Sequence, residues 1–172
     1  MDERYPVGNF QFSGELTSEV IEEWITEIER LPVLLRDAVS KLNITQLKTP
    51  YREGGWTILQ VVHHLADSHM NAFIRFKLAL TENKPVIKTY EEALWAEHID
   101  YTLPIEIPLN LLDSLHKRLV SFLRDLNLED LQRTFIHPDS GEISVAKNIG
   151  LYAWHGRHHL AHITTVTTRN GW

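Results

Sequence analysis

The chain has 172 residues, enough for one domain with a sizeable core, and its 43% apolar and 23% charged residues match an ordinary globular protein. A net charge of −6, with no basic block, argues against nucleic acid as a partner. There is no cysteine, which excludes disulfides, iron–sulfur clusters, thiolate zinc sites and a cysteine nucleophile; any thiol chemistry needs a thiol brought by the substrate.

The opening MDERYPVGNF lacks the basic and apolar regions of a signal peptide, and no apolar run approaches a membrane span, so a cytoplasmic protein without membrane contact is expected. Residues 1–16, with Pro6, Gly8 and Gly14, read as an irregular arm. Thr17 or Ser18 then caps a helix expected to reach about Leu42, with Ile21, Trp24, Ile25, Ile28, Leu31, Leu35 and Ala38 at helical spacing. Pro32 falls inside this pattern and predicts a kink or two abutting helices.

The stretch from Thr49 to Trp56 is loop chemistry, and Thr57-Ile58-Leu59-Gln60 is a capping box that starts a second helix, expected to reach about Leu80. Residues 82–107 hold Pro85 and Pro104 and read as a long connection with a short helix at 91–98. A third helix is expected from Pro108, with a stripe of Leu111, Leu112, Leu115, Leu119, Phe122 and Leu126. Residues 134–145, centred on Pro138-Asp139-Ser140-Gly141, fit a small hairpin or a plain loop. Ser144 caps a last helix that ends near Arg169, before Asn170-Gly171. Four long helices without a run of strands predict an all-α four-helix bundle, one domain over residues 1–172, with long crossover connections.

Ten histidines are present, and they cluster: His63, His64 and His69 on the second helix, and His155, His158, His159 and His162 on the last. With His155 as origin and about 100° per residue, His159 lies about 40° to one side, and His162 and His158 about 20° and 60° to the other. They extend an apolar stripe with Leu151, Tyr152 and Val166. A single histidine on such a face is usually a packed residue bonded to a backbone carbonyl. Several stacked imidazoles aimed at a core are hard to satisfy that way and costly to charge. A divalent metal resolves the conflict, since imidazoles at i and i+4 can share one ion. Both His155/His159 and His158/His162 have that spacing, and periodicity does not choose between them.

On the second helix, Ile58, Val62, Leu65, Ala66, Phe73 and Phe76 make the apolar face, and His69 lies on it. His64 lies nearly opposite, beside Gln60, Asp67, Ser68, Asn71 and Arg75. Periodicity therefore leans to a surface His64, unless the polar strip lines a water-filled site.

The residues Gly55-Trp56-Thr57…Gln60-Val61-Val62-His63-His64-Leu65-Ala66-Asp67 and Trp154-His155-Gly156-Arg157-His158-His159 resemble the paired motifs of the DinB/YfiT-like four-helix-bundle superfamily. Tyr5-Pro6, the 49–52 loop and His137-Pro138-Asp139 extend the resemblance over nearly the whole chain. It implies a bundle of that type with short extra helices, and a metal held by His64, His155 and His159. It also leaves His69 as a packing residue. Where relatives often have Gln, this chain has His162, an extra ligand, a group orienting a ligand or a substrate contact.

Three imidazoles leave coordination positions open, as in catalytic sites, and an all-nitrogen set suits Zn²⁺ or Ni²⁺, with Mn²⁺ or Fe²⁺ as further choices. The resemblance implies a metal-dependent hydrolase acting on a small molecule. Its thiol-using relatives make a transferase for a low-molecular-weight thiol, such as bacillithiol, the alternative, and a non-catalytic metal-binding stress-response module is a third. A homodimer is a further expectation from the resemblance. Asp67, Glu97, Asp139, Glu142 and His162 are the candidate bases or orienting groups, and Arg52, Tyr90, Trp95 and Tyr152 the candidate cavity residues.

Overall fold

The computed structural model describes residues 2–172, and each of the three expected side-chain caps starts a helix in it. Thr17 Oγ1 accepts from the backbone of Val20 to open α1 (Ser18–Val39). Thr57 and Gln60 form the reciprocal capping box of α3 (Ile58–Thr81). Ser144 accepts from Lys147 N–H at the start of α7 (Val145–Asn170), which Gly171 closes at φ 68°. The fourth long helix, α5 (Glu106–Arg124), starts two residues before Pro108, so the proline falls in the first turn, where helix N–H groups have no intrahelical partner.

Pro32 does not divide α1: one helix runs through it and ends at Val39, three residues short of the expected Leu42. Two short helices stand where only connection was expected. They are α2 (Ile44–Leu47), capped by Asn43, and α6 (Leu128–Gln132), capped by Asn127. The connection between α3 and α5 holds α4 (Glu92–Trp95), shorter than the expected 91–98, and one 3₁₀ turn at Ile99–Thr102. The hairpin forms, with β1 (Thr134–His137) antiparallel to β2 (Gly141–Ser144). It is tied to the α3–α5 connection by Ile87 N–H to the Ile136 carbonyl and Ile136 N–H to the Pro85 carbonyl.

In the bundle α1 packs on α5 and α7, and α3 packs on the same two helices, which places α1 and α3 on a diagonal. Gly156 allows the close approach of α7 to α1, where a Cβ would come within 2.7 Å of Leu31 Cδ2. The core is two apolar clusters, not one. The first joins Ile21–Ile28 of α1 to Ala72–Ala79, Leu119–Leu123 and Val145–Ala153; the second joins Leu31–Val39 to Ile58–Ala66, Leu109–Leu112 and Ile163–Val166. The gaps between them, 66–72 on α3, 112–119 on α5 and 153–163 on α7, contain His69, His116, His155, His158, His159 and His162. Apolar burial at about 25 cal/mol per Å² on both sides thus clamps a polar layer across the bundle. None of the helices is long and apolar enough to cross a membrane, among the described residues.

Candidate metal centre

His64 of α3 and His155 and His159 of α7 each offer a ring nitrogen, and these three atoms lie within 4.8 Å of one another. His64 is buried, not on the surface to which periodicity pointed. The polar strip of α3 faces a cavity instead: His64, Ser68 and Arg75 line it together with His155 and His159. Its volume is about 530 Å³. The rings pack edge to face, His64 on His159 at 4.8 Å and His155 on His159 at 4.5 Å between centroids, and Trp56 covers His64 at 4.6 Å.

For His155 and His159, which nitrogen carries a hydrogen follows from what lies behind each ring, whereas His64 Nδ1 is buried without a partner. His116 Nδ1 sits 2.6 Å from the carbonyl oxygen of Ile28, which only accepts, so Nδ1–H donates. Burial holds His116 down to about 4, so it is neutral near pH 7 and its Nε2 is an acceptor. That nitrogen receives His69 Nδ1–H at 2.9 Å, leaving His69 Nε2 to receive His155 Nδ1–H at 3.3 Å. Burial also keeps His69 and His155 neutral. The chain ends with a lone pair on His155 Nε2.

Pro32 supplies the anchor. A proline has no N–H to give the carbonyl four residues earlier, and that carbonyl belongs to Ile28. The oxygen freed by the break in the ladder is the one that His116 takes up. His69 is packed in the interior as expected, and its hydrogen bonds add a second role. It is fully buried, and both of its nitrogens are engaged.

A shorter chain stands behind His159. His162 Nε2–H donates to the Arg4 carbonyl at 3.2 Å, so its Nδ1 accepts from His159 Nδ1–H at 3.3 Å. His162 is held down to about 4 by burial first and by the nearby His158 second. His159 is then also neutral, with its lone pair on Nε2.

His64 Nε2 lies 3.4 Å from His155 Nε2. One of these nitrogens already presents a lone pair, so something positive belongs between them: a proton on one or a cation on both. Two nitrogens on one tetrahedral ion at about 2.0–2.1 Å sit roughly 3.3–3.4 Å apart, so the spacing fits a metal. His158 and His162 also fall within ligand spacing of His159, but His162 Nδ1 is occupied by His159. The geometry favours the pair His155/His159, which spacing alone left tied with His158/His162.

All but one of the candidate carboxylates lie away from the cavity. Asp67 accepts from Tyr101 OH at 2.7 Å and does not line the cavity, and Glu142 pairs with Lys84 at 2.8 Å. Glu97 is exposed and outside the cavity. Of the candidates only Asp139 lines the cavity, joined by Glu92, which the sequence did not single out; both are exposed. Tyr90 and Tyr152 line it as expected, Trp95 packs on Tyr90 at 4.4 Å, and Arg52 lines a second cavity beside His158 and His162. His116 was missed. Its signal was its place four residues after Leu112 and three before Leu119, on the apolar face of α5.

The model of the DinB superfamily matches residues 27–163 of this sequence. The chain belongs to the DinB superfamily. A protein of Oceanobacillus iheyensis named "Putative metal-dependent hydrolase" is 63% identical over 172 residues, all of both chains. One of the same name from Bacillus cereus is 58% identical over 171 residues, 99% of each. Among solved structures, YfiT from Bacillus subtilis, described as "a probable metal-dependent hydrolase with an unusual four-helix bundle topology", superposes with a TM-score of 0.97. It is 44% identical, and the match covers 100% of this chain and 99% of that one. In this chain the consecutive long helices α1 and α3 lie on a diagonal of the bundle.

Proposed function

We propose that this DinB-superfamily chain is a metal-dependent hydrolase of a small molecule, with one divalent ion held by His64, His155 and His159. The observation that carries the reading is the 3.4 Å approach of two Nε2 atoms, one with its lone pair fixed by a hydrogen-bond chain, on the wall of a cavity. Zinc or nickel suits three neutral imidazoles. When bound, such an ion supplies Lewis acidity, which makes a water molecule nucleophilic at neutral pH. The chain's own residues do the rest: His69 and His162 hold the ligand rings in one tautomer, and Trp56 shields His64. The names carried by the relatives support hydrolysis.

A second reading has one observation in its favour. No carboxylate joins either histidine cluster, among the described residues, so a base for activating water is not built into the centre. Transfer of a low-molecular-weight thiol needs no such base once the thiolate is stabilised.

Protein purified without an affinity tag is expected to hold one divalent ion per chain, lost in His155→Ala; unchanged metal content in the variant overturns the assignment. Hydrolysis of esters or amides by metal-loaded protein without added thiol supports the first reading. Conjugation of a thiol to an electrophile only in the presence of metal replaces it with the second. No turnover on either panel, with metal-dependent stability, reduces the chain to a metal-binding module.

A further inference from the structure

The cavity extends from the histidines to a cation. Arg75, on the polar strip of α3, lines it, and its guanidinium is held by two neutral oxygens: Nη1–H donates to Tyr152 OH at 3.3 Å and Nη2–H to the Lys88 carbonyl at 3.2 Å. Its Nε is buried without a hydrogen-bond partner. Arg75, like several other arginines of the chain, makes no ion pair among the described residues, but it is the one that lines this cavity. A half-buried guanidinium without a counter-charge is costly unless an anion completes it.

His137, on the same cavity, adds an independent donor. Its Nδ1 accepts from the backbone N–H groups of Asp139 and Ser140 at 3.2 and 3.3 Å, so the hydrogen of the neutral ring is on Nε2. Burial first, and the charge of Arg75 second, keep that ring neutral. One tyrosine ring, Tyr152, connects the two ends of the cavity: its hydroxyl touches Arg75, and its ring lies 5.7 Å from that of His155. Glu92 and Asp139 sit on the exposed rim and make no ion pair with Arg75; Asp139 Oδ2 lies 3.9 Å from His137 Nδ1, the ring nitrogen other than the Nε2–H donor.

We propose that Arg75 and His137 form an anion subsite, and that the small molecule treated at the histidine centre carries a carboxylate about one tyrosine ring away from its reacting group. The proposal rests on the metal reading for the position of the reacting group, but not for the existence of the subsite. A planar carboxylate suits the remaining guanidinium N–H groups, which bind such anions in a fixed geometry.

Two measurements separate the claims. In protein as purified, succinate is expected to shift the Arg75 Nε–H and His137 ring resonances saturably in NMR spectra. Its dimethyl ester should not, and Arg75→Gln should abolish the response read at His137, with Arg75→Lys keeping part of it. No saturable shift at either residue, or an equal response in Arg75→Gln, overturns the subsite.

In metal-loaded protein, the monohydroxamate of succinic acid is expected to bind about tenfold tighter than butyryl hydroxamate, an advantage lost in Arg75→Gln. If a longer dicarboxylate monohydroxamate shows the preference instead, the separation is revised while the subsite stands. If no chain length shows one, the substrate assignment fails. If neither hydroxamate binds while succinate still does, the metal reading fails alone.

Discussion

The hydrogen-bond chain behind His155 runs through His69 and His116 into the middle of α1, whereas the one behind His159 stops at His162 and the Arg4 carbonyl in the N-terminal arm. The first is sealed. His69 and His116 are 0% and 2% exposed and lie between the two apolar clusters. The second, although its His162 is only 3% exposed, borders a cavity of about 290 Å³ lined by Arg4, Tyr5, Tyr51 and Arg52, and its anchor belongs to a segment without helix or strand. Tyr51 stacks on His162 at 3.9 Å, and the arm is held by an Arg169–Glu3 ion pair and by Trp154 Nε1–H to the Gly8 carbonyl. One ligand is oriented by the core itself. The other depends on whether a surface arm stays in place.

The largest expected effect is acid sensitivity, to which both chains contribute, because His162 is held down to about 4 just as His116 is. Histidine titrates near 6.5 when exposed, and His116 is held down to about 4 in the folded state, with His69 also well below its ordinary value. The unfolded chain therefore binds more protons between these limits, so stability is present above pH 6.5 and lost as pH falls toward 4. Each such histidine contributes a slope of up to about 1.4 kcal/mol per pH unit. Urea unfolding of metal-free protein from pH 7 to 4.5 is expected to show this slope, shallower in His116→Leu. An identical slope in that variant would remove the sealed chain as its source.

Next in size is His69→Leu, which leaves His155 free to rotate and its Nδ1–H without an acceptor. Loss of such a partner typically weakens metal binding about 10–100-fold. Competition with a chromogenic chelator measures it, and affinity unchanged from wild type would show that packing alone orients His155. His162→Leu should cost less, roughly threefold to tenfold, because its chain is open and water can replace the lost acceptor. If His162→Leu proves worse than His69→Leu, the ranking of the sealed over the open chain is reversed.

Much of the frame was legible in local chemistry. The capping residues Thr17, Thr57 and Ser144 and the Gly171 stop act over a few residues, so sequence carries them directly, while the 134–145 segment reads from sequence only as a hairpin or a loop. The Asn43 and Asn127 caps obeyed the same rule and were overlooked because the helices they start are only four and five residues long. The H-x-x-x-H pair was visible as well. Periodicity assigned faces to α3 correctly but not their solvent: the polar face of His64, Ser68 and Arg75 meets a cavity and not bulk water. His69 and His116 were beyond reach for another reason, since their contact joins residues 47 apart and each alone looks like core.

Pro32 gives this arrangement a history-like logic that a stability screen would expose. Alanine in a helix interior is favoured over proline by about 3 kcal/mol, so Pro32→Ala ought to emerge among thermostabilised variants. The restored N–H would then compete with His116 for the Ile28 oxygen, loosening the far end of the chain that holds His155. The expected outcome is a higher Tm with metal retained a few-fold less tightly, by chelator competition; a gain in both would mean the carbonyl serves two donors without conflict. The flaw in the helix and the order in the site are then one trait, and selection for robustness acts against the second by repairing the first.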